Sequence, residues 1–196
     1  KEKGAILKYV TLHQDGQLDM DMFKASITKN TKIIALTHVS NVTGVINPIQ
    51  SICREAKKRG IITVIDGTQA IPHFPVDMQS LECDFYAFSA HKMYGPKGVG
   101  ILFGRTELLE TMPAYHLGGG IITTVKATQA TYQDAPYRFE AGTPNIAGIY
   151  ALKACINYLN TIGYKTIQFH EKALYQYTAE ALKTIKGLKI YGDIQN

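Results

Sequence analysis

Short runs of apolar residues alternate along this chain with longer stretches in which apolar positions recur at a helical spacing. The apolar runs predict β-strands at residues 5–10, 32–40, 61–66, 84–89, 98–104 and 187–193. The helical spacing predicts helices at residues 19–28, 48–59, 146–162 and 164–186. Strand, helix and strand joined by short links are typical of parallel βαβ units, so the pattern predicts an α/β fold.

The regular alternation ends near residue 105, where loop-rich segments precede the two long predicted helices. We therefore expect residues 1–145 to form part of a larger domain with a mainly parallel sheet. Residues 146–196 are expected to form linking helices and the start of a smaller C-terminal domain. The chain starts without methionine, close to a predicted strand. We expect it to be a piece of a longer protein.

Composition narrows the classes of protein that the chain can represent. It has 196 residues, of which 45% are hydrophobic, and this is enough for one real core. The net charge of +5 comes from scattered lysines, with no basic run interleaved with aromatic residues, so we expect no nucleic-acid partner. The three cysteines lack disulfide or zinc spacing, which favours a reducing, cytoplasmic location. No apolar run approaches the length of a membrane span, so we expect no membrane partner.

Polar side chains follow three of the predicted strands where each strand ends. Ligands of open α/β sheets bind at the carboxyl ends of parallel strands, so these side chains are expected to meet at one edge. Each of these residues alone also has an ordinary explanation. An aspartate at a strand end often caps the next helix, and a lysine usually lies on the surface. The strand-end residues are His38, Ser40 and Asn41, then Asp66 and Gln69, then Ser89, His91 and Lys92.

A lysine near an aspartate favours one particular cofactor. A neutral lysine amine forms a Schiff base with an aldehyde, and burial or a nearby positive charge lowers the lysine pKa enough to provide that amine. Pyridoxal phosphate supplies the aldehyde, and its enzymes pair the pyridinium nitrogen with an acidic residue. On this reading Lys92 bonds the cofactor and Asp66 pairs with its ring nitrogen.

Other motifs for phosphate or metal binding do not match. "GPKGVG" at residues 95–100 lacks the GxxxxGK[ST] spacing of a P-loop, and no GxGxxG links a strand to a helix. His91 has no second ligand at metal spacing, so we expect no metal site.

Four separated segments resemble one family. "HVSNVTG", "VIDGTQA", "FSAHKMYGPKGVGILF" and "RFEAGTPN" occur in the expected order, and the resemblance runs over nearly all of the chain. They are similar to the class V aminotransferase-like enzymes that depend on pyridoxal phosphate, and most of all to the SufS/CsdA-type cysteine desulfurases. The resemblance implies the fold of type I pyridoxal-phosphate transferases.

The resemblance also implies a role for each matching residue. Lys92 would be bonded to the cofactor and would move protons at the substrate α-carbon. Asp66 would pair with the pyridinium, and Gln69 would contact the phenolic oxygen. Ser89 and His91 would bind the phosphate.

Two further residues are implied at the edges of the site. Thr143 would reach the phosphate of the other subunit's cofactor, which implies a homodimer, and Asn41 would lie near the substrate carboxylate or the ring. The family's ring-stacking histidine would precede residue 1. Its sulfur-accepting cysteine and its carboxylate-binding arginine would follow residue 196. The three cysteines of the chain match no nucleophile and are read as structural.

The resemblance implies an enzyme that converts L-cysteine to L-alanine and an enzyme-bound persulfide, passes the sulfur to an acceptor protein, and serves iron–sulfur cluster assembly. The chain by itself is expected to be inactive. Two alternatives remain. One is another class V enzyme, such as a selenocysteine lyase, an epimerase or a kynureninase-like enzyme. The other is a non-catalytic fragment that only dimerises or binds a partner.

Overall fold

A computed structural model describes residues 2–192. The strands within this range are β1 (Ile33–Thr37), β2 (Ile62–Asp66), β3 (Phe85–Ser89), β4 (Gly100–Gly104), β5 (Ile122–Val125) and β6 (Ala130–Tyr132). The α-helices are α1 (Met20–Ser26), α2 (Ile49–Lys58), α3 (Met78–Leu81), α4 (Thr106–Thr111), α5 (Ile146–Ile162) and α6 (Tyr164–Lys183). Two 3₁₀ turns cover Ala90–Lys92 and Tyr137–Phe139.

The main sheet has the strand order β1-β2-β3-β4. The first three strands are parallel, as the βαβ pattern predicts, and β4 runs antiparallel to β3. A parallel return needs a crossover of a dozen or more residues, and the link at residues 90–99 is too short to provide one. A separate two-stranded antiparallel sheet contains β5 and β6.

The described residues do not form the two strands predicted near the ends of the chain. Residues 5–11 have no regular structure, and the side chains of Ile6 and Tyr9 are 88% and 78% exposed. A strand needs a partner edge for its backbone hydrogen bonds, and the described residues offer this segment none. Residues 187–192 also form no strand, and residue 193 lies outside the described range.

The core lies between α2 and the sheet. Ile49 and Cys53 of α2 pack in one cluster with Ile65 of β2, Tyr86 of β3 and Cys83. The helix presents its apolar face to the sheet, and each buried aliphatic side chain stabilises the fold by about 1.5–3 kcal/mol. This packing fixes the strand ends that carry the predicted site.

A second cluster ties the long helices to the sheet. Leu159 of α5 and Ile167 of α6 pack with Met93, which follows the 3₁₀ turn at the end of β3. The hydroxyl of Tyr164 donates a hydrogen bond to the carbonyl of Ile71 at 3.0 Å. Within residues 2–192, none of the helices has both the length and the apolar character needed to cross a bilayer.

Candidate functional site

Parallel pairing brings the predicted strand-end residues to one edge of the sheet. Asp66 is the last residue of β2, and its register partners are Thr37 of β1 and Ala87 of β3. Ser89 lies two residues beyond Ala87, which corresponds to about 7 Å along the strand. The ends of β1, β2 and β3 therefore lie side by side, as the strand pattern predicts.

Main-chain hydrogen bonds fix the backbone on both sides of Asp66. The N–H of His38 donates to the Asp66 carbonyl at 2.7 Å, and the N–H of Gly67 donates to the Ala87 carbonyl at 2.8 Å. The Thr68 N–H donates to Asp66 Oδ1 at 2.9 Å. The Asp66 side chain is exposed, and no group within residues 2–192 hydrogen-bonds to its Oδ2. A carboxylate held in this way presents one oxygen to an incoming cation.

A buried polar pair lies next to this turn. His38 Nδ1 and the Tyr86 hydroxyl are 2.9 Å apart, and the Tyr86 ring fills the space where a side chain on Gly67 would lie. Burial lowers the pKa of His38 and raises the pKa of the Tyr86 phenol, so both groups are neutral at pH 7. His38 is thus a buried, hydrogen-bonded residue of the core, although it follows the end of a strand.

The end of β3 lines an open cavity of about 450 Å³. Ser89 Oγ and His91 Nδ1 are 2.7 Å apart, and both residues line the cavity. Lys97 and Gly98 also line it, and the sequence interpretation missed both. The antiparallel pairing of Ser89 with Gly100 brings the glycine-rich turn back beside the serine. The signal available in the sequence was a lysine between glycines directly before a strand.

Lys92 ends the 3₁₀ turn that follows β3, and its side chain is exposed in this chain. The turn is anchored by the buried Met93, and Gly95 lies so close to Ala90 that an added Cβ would come within 2.7 Å of the Ala90 carbonyl oxygen. Tyr94 has a φ of +66°, which is strained for a residue with a side chain. The backbone around the lysine is therefore fixed although the lysine itself is open to solvent.

The other three predicted site residues lie outside this group of contacts. Asn41 and Thr143 are exposed, Gln69 is half-buried, and the described residues show no side-chain hydrogen bond for any of them. Asn145, two residues after Thr143, has its Nδ2 3.5 Å from the Gly98 carbonyl oxygen. No cluster of metal-binding side chains occurs within residues 2–192.

Comparison with known proteins gives a consistent family. The aminotransferase class-V model matches residues 1–196. The chain is 48% identical over 193 residues to a cysteine desulfurase of Serratia proteamaculans, covering 98% of this chain and 48% of that protein. It is 44% identical over 193 residues to a cysteine desulfurase of Dickeya dadantii, covering 98% of this chain and 47% of that protein. The chain thus spans about half the length of the relatives it matches.

Solved structures agree with the sequence matches. The cysteine desulfurase CsdA of Escherichia coli superposes with a TM-score of 0.83 at 36% identity, covering 89% of this chain and 44% of that one. A cysteine desulfurase of Thermococcus onnurineus superposes with a TM-score of 0.89 at 36% identity, covering 95% of this chain and 46% of that one. The predicted type I fold is therefore confirmed. The chain belongs to the aminotransferase class-V family, whose members depend on pyridoxal phosphate.

Proposed function

We propose that the protein carrying this chain is a pyridoxal-phosphate-dependent cysteine desulfurase that forms L-alanine and an enzyme-bound persulfide from L-cysteine. The observation that carries the proposal is that β2, which ends at Asp66, pairs in parallel with β3, whose end is followed by His91 and Lys92. The 44–48% identity to cysteine desulfurases supports the choice of substrate within the family. We also propose that it transfers sulfur to an acceptor protein and serves iron–sulfur cluster assembly in the cytoplasm.

The donors around the cavity fit the anionic end of the cofactor. Ser89, His91 and Lys97 all line one open cavity, and hydroxyl, imidazole and ammonium groups all donate hydrogen bonds to phosphate oxygens. When His91 Nδ1–H donates to Ser89 Oγ, the serine hydroxyl keeps its proton for an anion. In this tautomer the Ser89 O–H is the donor toward the phosphate, and in the other tautomer, in which Ser89 donates to Nδ1, the donor is the Nε2–H of His91.

Asp66 fits the opposite end of the cofactor. Its carboxylate is fixed by Thr68 and has an oxygen open to a protonated ring nitrogen. When bound, the cofactor withdraws electrons from the substrate α-carbon, so that the bonds around that carbon break more readily. Gln69 follows Asp66 in the same turn, and we assign it to the phenolic oxygen of the ring. Asn41 follows the end of β1, and we assign it to the substrate carboxylate or the ring.

Lys92 is the residue that we propose to bond the cofactor and to take the proton from the substrate. The Lys92 side chain is exposed, so residues 2–192 do not cover this side of the site. A second subunit fits this arrangement, since the exposed Thr143 is free to reach the phosphate of a partner's cofactor. We therefore propose a homodimer with shared sites.

The chain supplies cofactor-binding residues and no nucleophile. Cys53 and Cys83 are 1% and 2% exposed, and burial raises the pKa of both thiols, that of Cys83 to about 11. Cys155 is half-buried on α5, and its thiol donates to the Tyr94 carbonyl at 3.3 Å. We propose that residues 1–145 belong to the cofactor-binding domain and that residues 146–196 lead into the next one. The attacking thiolate and the substrate arginine would then lie elsewhere in the protein.

The cofactor assignment is tested by locating the covalent bond. The full-length protein is incubated with pyridoxal phosphate, treated with borohydride to fix the cofactor on the amine that holds it, and digested for mass spectrometry. We expect the pyridoxyl group on Lys92. Lys97 is the internal control because it lines the same cavity as Ser89 and His91. A label on Lys97 alone, or on no lysine, would contradict the proposal.

A further inference from the structure

The hydrogen bond between His38 and Tyr86 has no part in the proposed function. His38 is 7% exposed and Tyr86 is 0% exposed, and Nδ1 and the phenol oxygen are 2.9 Å apart. A polar pair in the core adds little to stability compared with apolar packing and costs free energy when it is incompletely satisfied. Its position beside Asp66 suggests a reason for its presence.

The pair contacts the backbone of Asp66 from two sides. His38 donates its main-chain N–H to the Asp66 carbonyl at 2.7 Å. Tyr86 packs its ring against Gly67, the residue that follows Asp66, so closely that a Cβ there would overlap the ring. The imidazole and the phenol also meet edge to face, with ring centroids 5.9 Å apart. The backbone at Asp66 is therefore in contact with the main chain of His38 and, through Gly67, with the ring of Tyr86.

The direction of the hydrogen bond follows from the charge states. Burial keeps the imidazole neutral by lowering the pKa of His38, and it keeps the phenol protonated by raising the pKa of Tyr86, to which the negative charge of Asp66 also contributes. Residues 2–192 offer the Tyr86 O–H no acceptor other than His38. The phenol O–H therefore donates to Nδ1, and the imidazole carries its proton on Nε2.

We propose that His38 and Tyr86 are positioning residues that hold the Asp66 carboxylate where it receives a protonated heteroaromatic nitrogen. This inference rests on the proposed function, since the nitrogen is that of the pyridoxal phosphate ring. Loss of the phenol oxygen leaves Nδ1 of the buried His38 without a donor. The imidazole then shifts toward another partner and moves the main-chain N–H that holds the Asp66 carbonyl.

The test compares two cofactors that differ only at the ring nitrogen. Binding of pyridoxal phosphate and of its analogue with CH in place of the ring nitrogen is measured on the full-length protein by absorbance and fluorescence titration. For Tyr86→Phe we expect affinity for pyridoxal phosphate to fall about three- to tenfold, with less than about a twofold change for the analogue. General loosening of the fold weakens the binding of both cofactors alike, so the ratio of the two affinities reports the contribution of the ring nitrogen alone.

Two further variants make the test specific. His38→Asn keeps a hydrogen-bond acceptor near the position of Nδ1 and is expected to retain most of the preference for pyridoxal phosphate over the analogue. His38→Leu is expected to lose this preference. Tyr177→Phe is the matched control, because Tyr177 lies exposed on α6. An unchanged ratio in both Tyr86→Phe and His38→Leu would overturn the inference alone. Failure of the wild-type protein to bind either cofactor would overturn both the inference and the proposed function.

Discussion

The ring of Tyr86 occupies the space where a side chain on Gly67 would lie, directly after the aspartate that we assign to the cofactor nitrogen. Gly67 needs no unusual backbone conformation, so the requirement for glycine is one of space alone. The turn after β2 packs on the aromatic ring, and this contact links the buried end of β3 to the exposed carboxylate of Asp66.

Replacing Gly67 by alanine should destabilise the fold and weaken cofactor binding together. The added methyl forces the Tyr86 ring or the turn at Asp66 to move, and overpacking of this kind costs about 1–3 kcal/mol. The free energy of unfolding in urea and the dissociation constant for pyridoxal phosphate report the two effects. Gly119→Ala is the matched control, since nothing lies within 4 Å of the added methyl. Equal behaviour of the two variants would contradict the packing described here.

The free energy of unfolding should decrease as the pH is lowered through the range in which His38 titrates. Its pKa is lowered from 6.5 by burial, so below about pH 6.5 the unfolded chain binds a proton that the folded chain does not. The free energy of unfolding should therefore decrease by up to about 1.4 kcal/mol per pH unit as pH falls from 6.5 toward the pKa of the folded state.

His38→Asn should flatten this pH dependence, because it removes the group that titrates. Urea unfolding between pH 5 and pH 7.5 measures the slope, a range that lies above the ordinary titration of carboxylates. His170→Asn, which replaces an exposed histidine on α6, is the control for the loss of a histidine side chain as such. A slope that persists in His38→Asn would show that another group is responsible.

Lys97 should contribute to the binding of anions beside Ser89 and His91. Lys97→Gln is expected to lower the affinity for pyridoxal phosphate about two- to fivefold at low salt, because an exposed charge makes a modest, screened contribution to binding. The difference between variant and wild type should shrink as ionic strength rises. Lys172→Gln removes the same charge from α6 and should have no effect. An equal loss in both lysine variants would assign the effect to net charge rather than to the cavity.

The buried thiols should resist modification while the protein is folded. Burial keeps Cys53 and Cys83 protonated and away from solvent, whereas Cys155 is partly accessible. Brief treatment with iodoacetamide at pH 8, followed by peptide mass mapping, should label Cys155 well before the other two. Labelling in urea should become equal at all three. Early labelling of Cys83 in the folded protein would contradict its place in the core.

The sequence predicted the parts of the fold that depend on local pattern. Continuous apolar runs identified β1 to β4, and parallel pairing of the first three strands placed Asp66 near Ser89. The antiparallel direction of β4 follows from the shortness of the link before it, a constraint that apolar pattern alone does not express. The strand predicted at residues 5–10 fails because strand formation depends on a partner edge as well as on composition.

The candidate site also contains residues that the sequence pattern indicates and residues that it does not. Asp66 and Lys92 stand out because charged residues at the ends of buried strands need an explanation. Lys97 and Tyr86 reach the candidate site through contacts that only the folded backbone creates, Lys97 through the return of β4 and Tyr86 through its packing on Gly67. Their side chains looked unremarkable among neighbours in the sequence.

The most direct test of the central claim is alanine formation from L-cysteine by the full-length protein loaded with pyridoxal phosphate, measured for the wild type, Lys92→Ala and the exposed control Lys172→Ala. We predict that the wild type and the control produce alanine together with an enzyme-bound persulfide, and that Lys92→Ala produces neither while remaining folded. Alanine formation that survives in Lys92→Ala, or a loaded wild type that forms no alanine, would contradict the account.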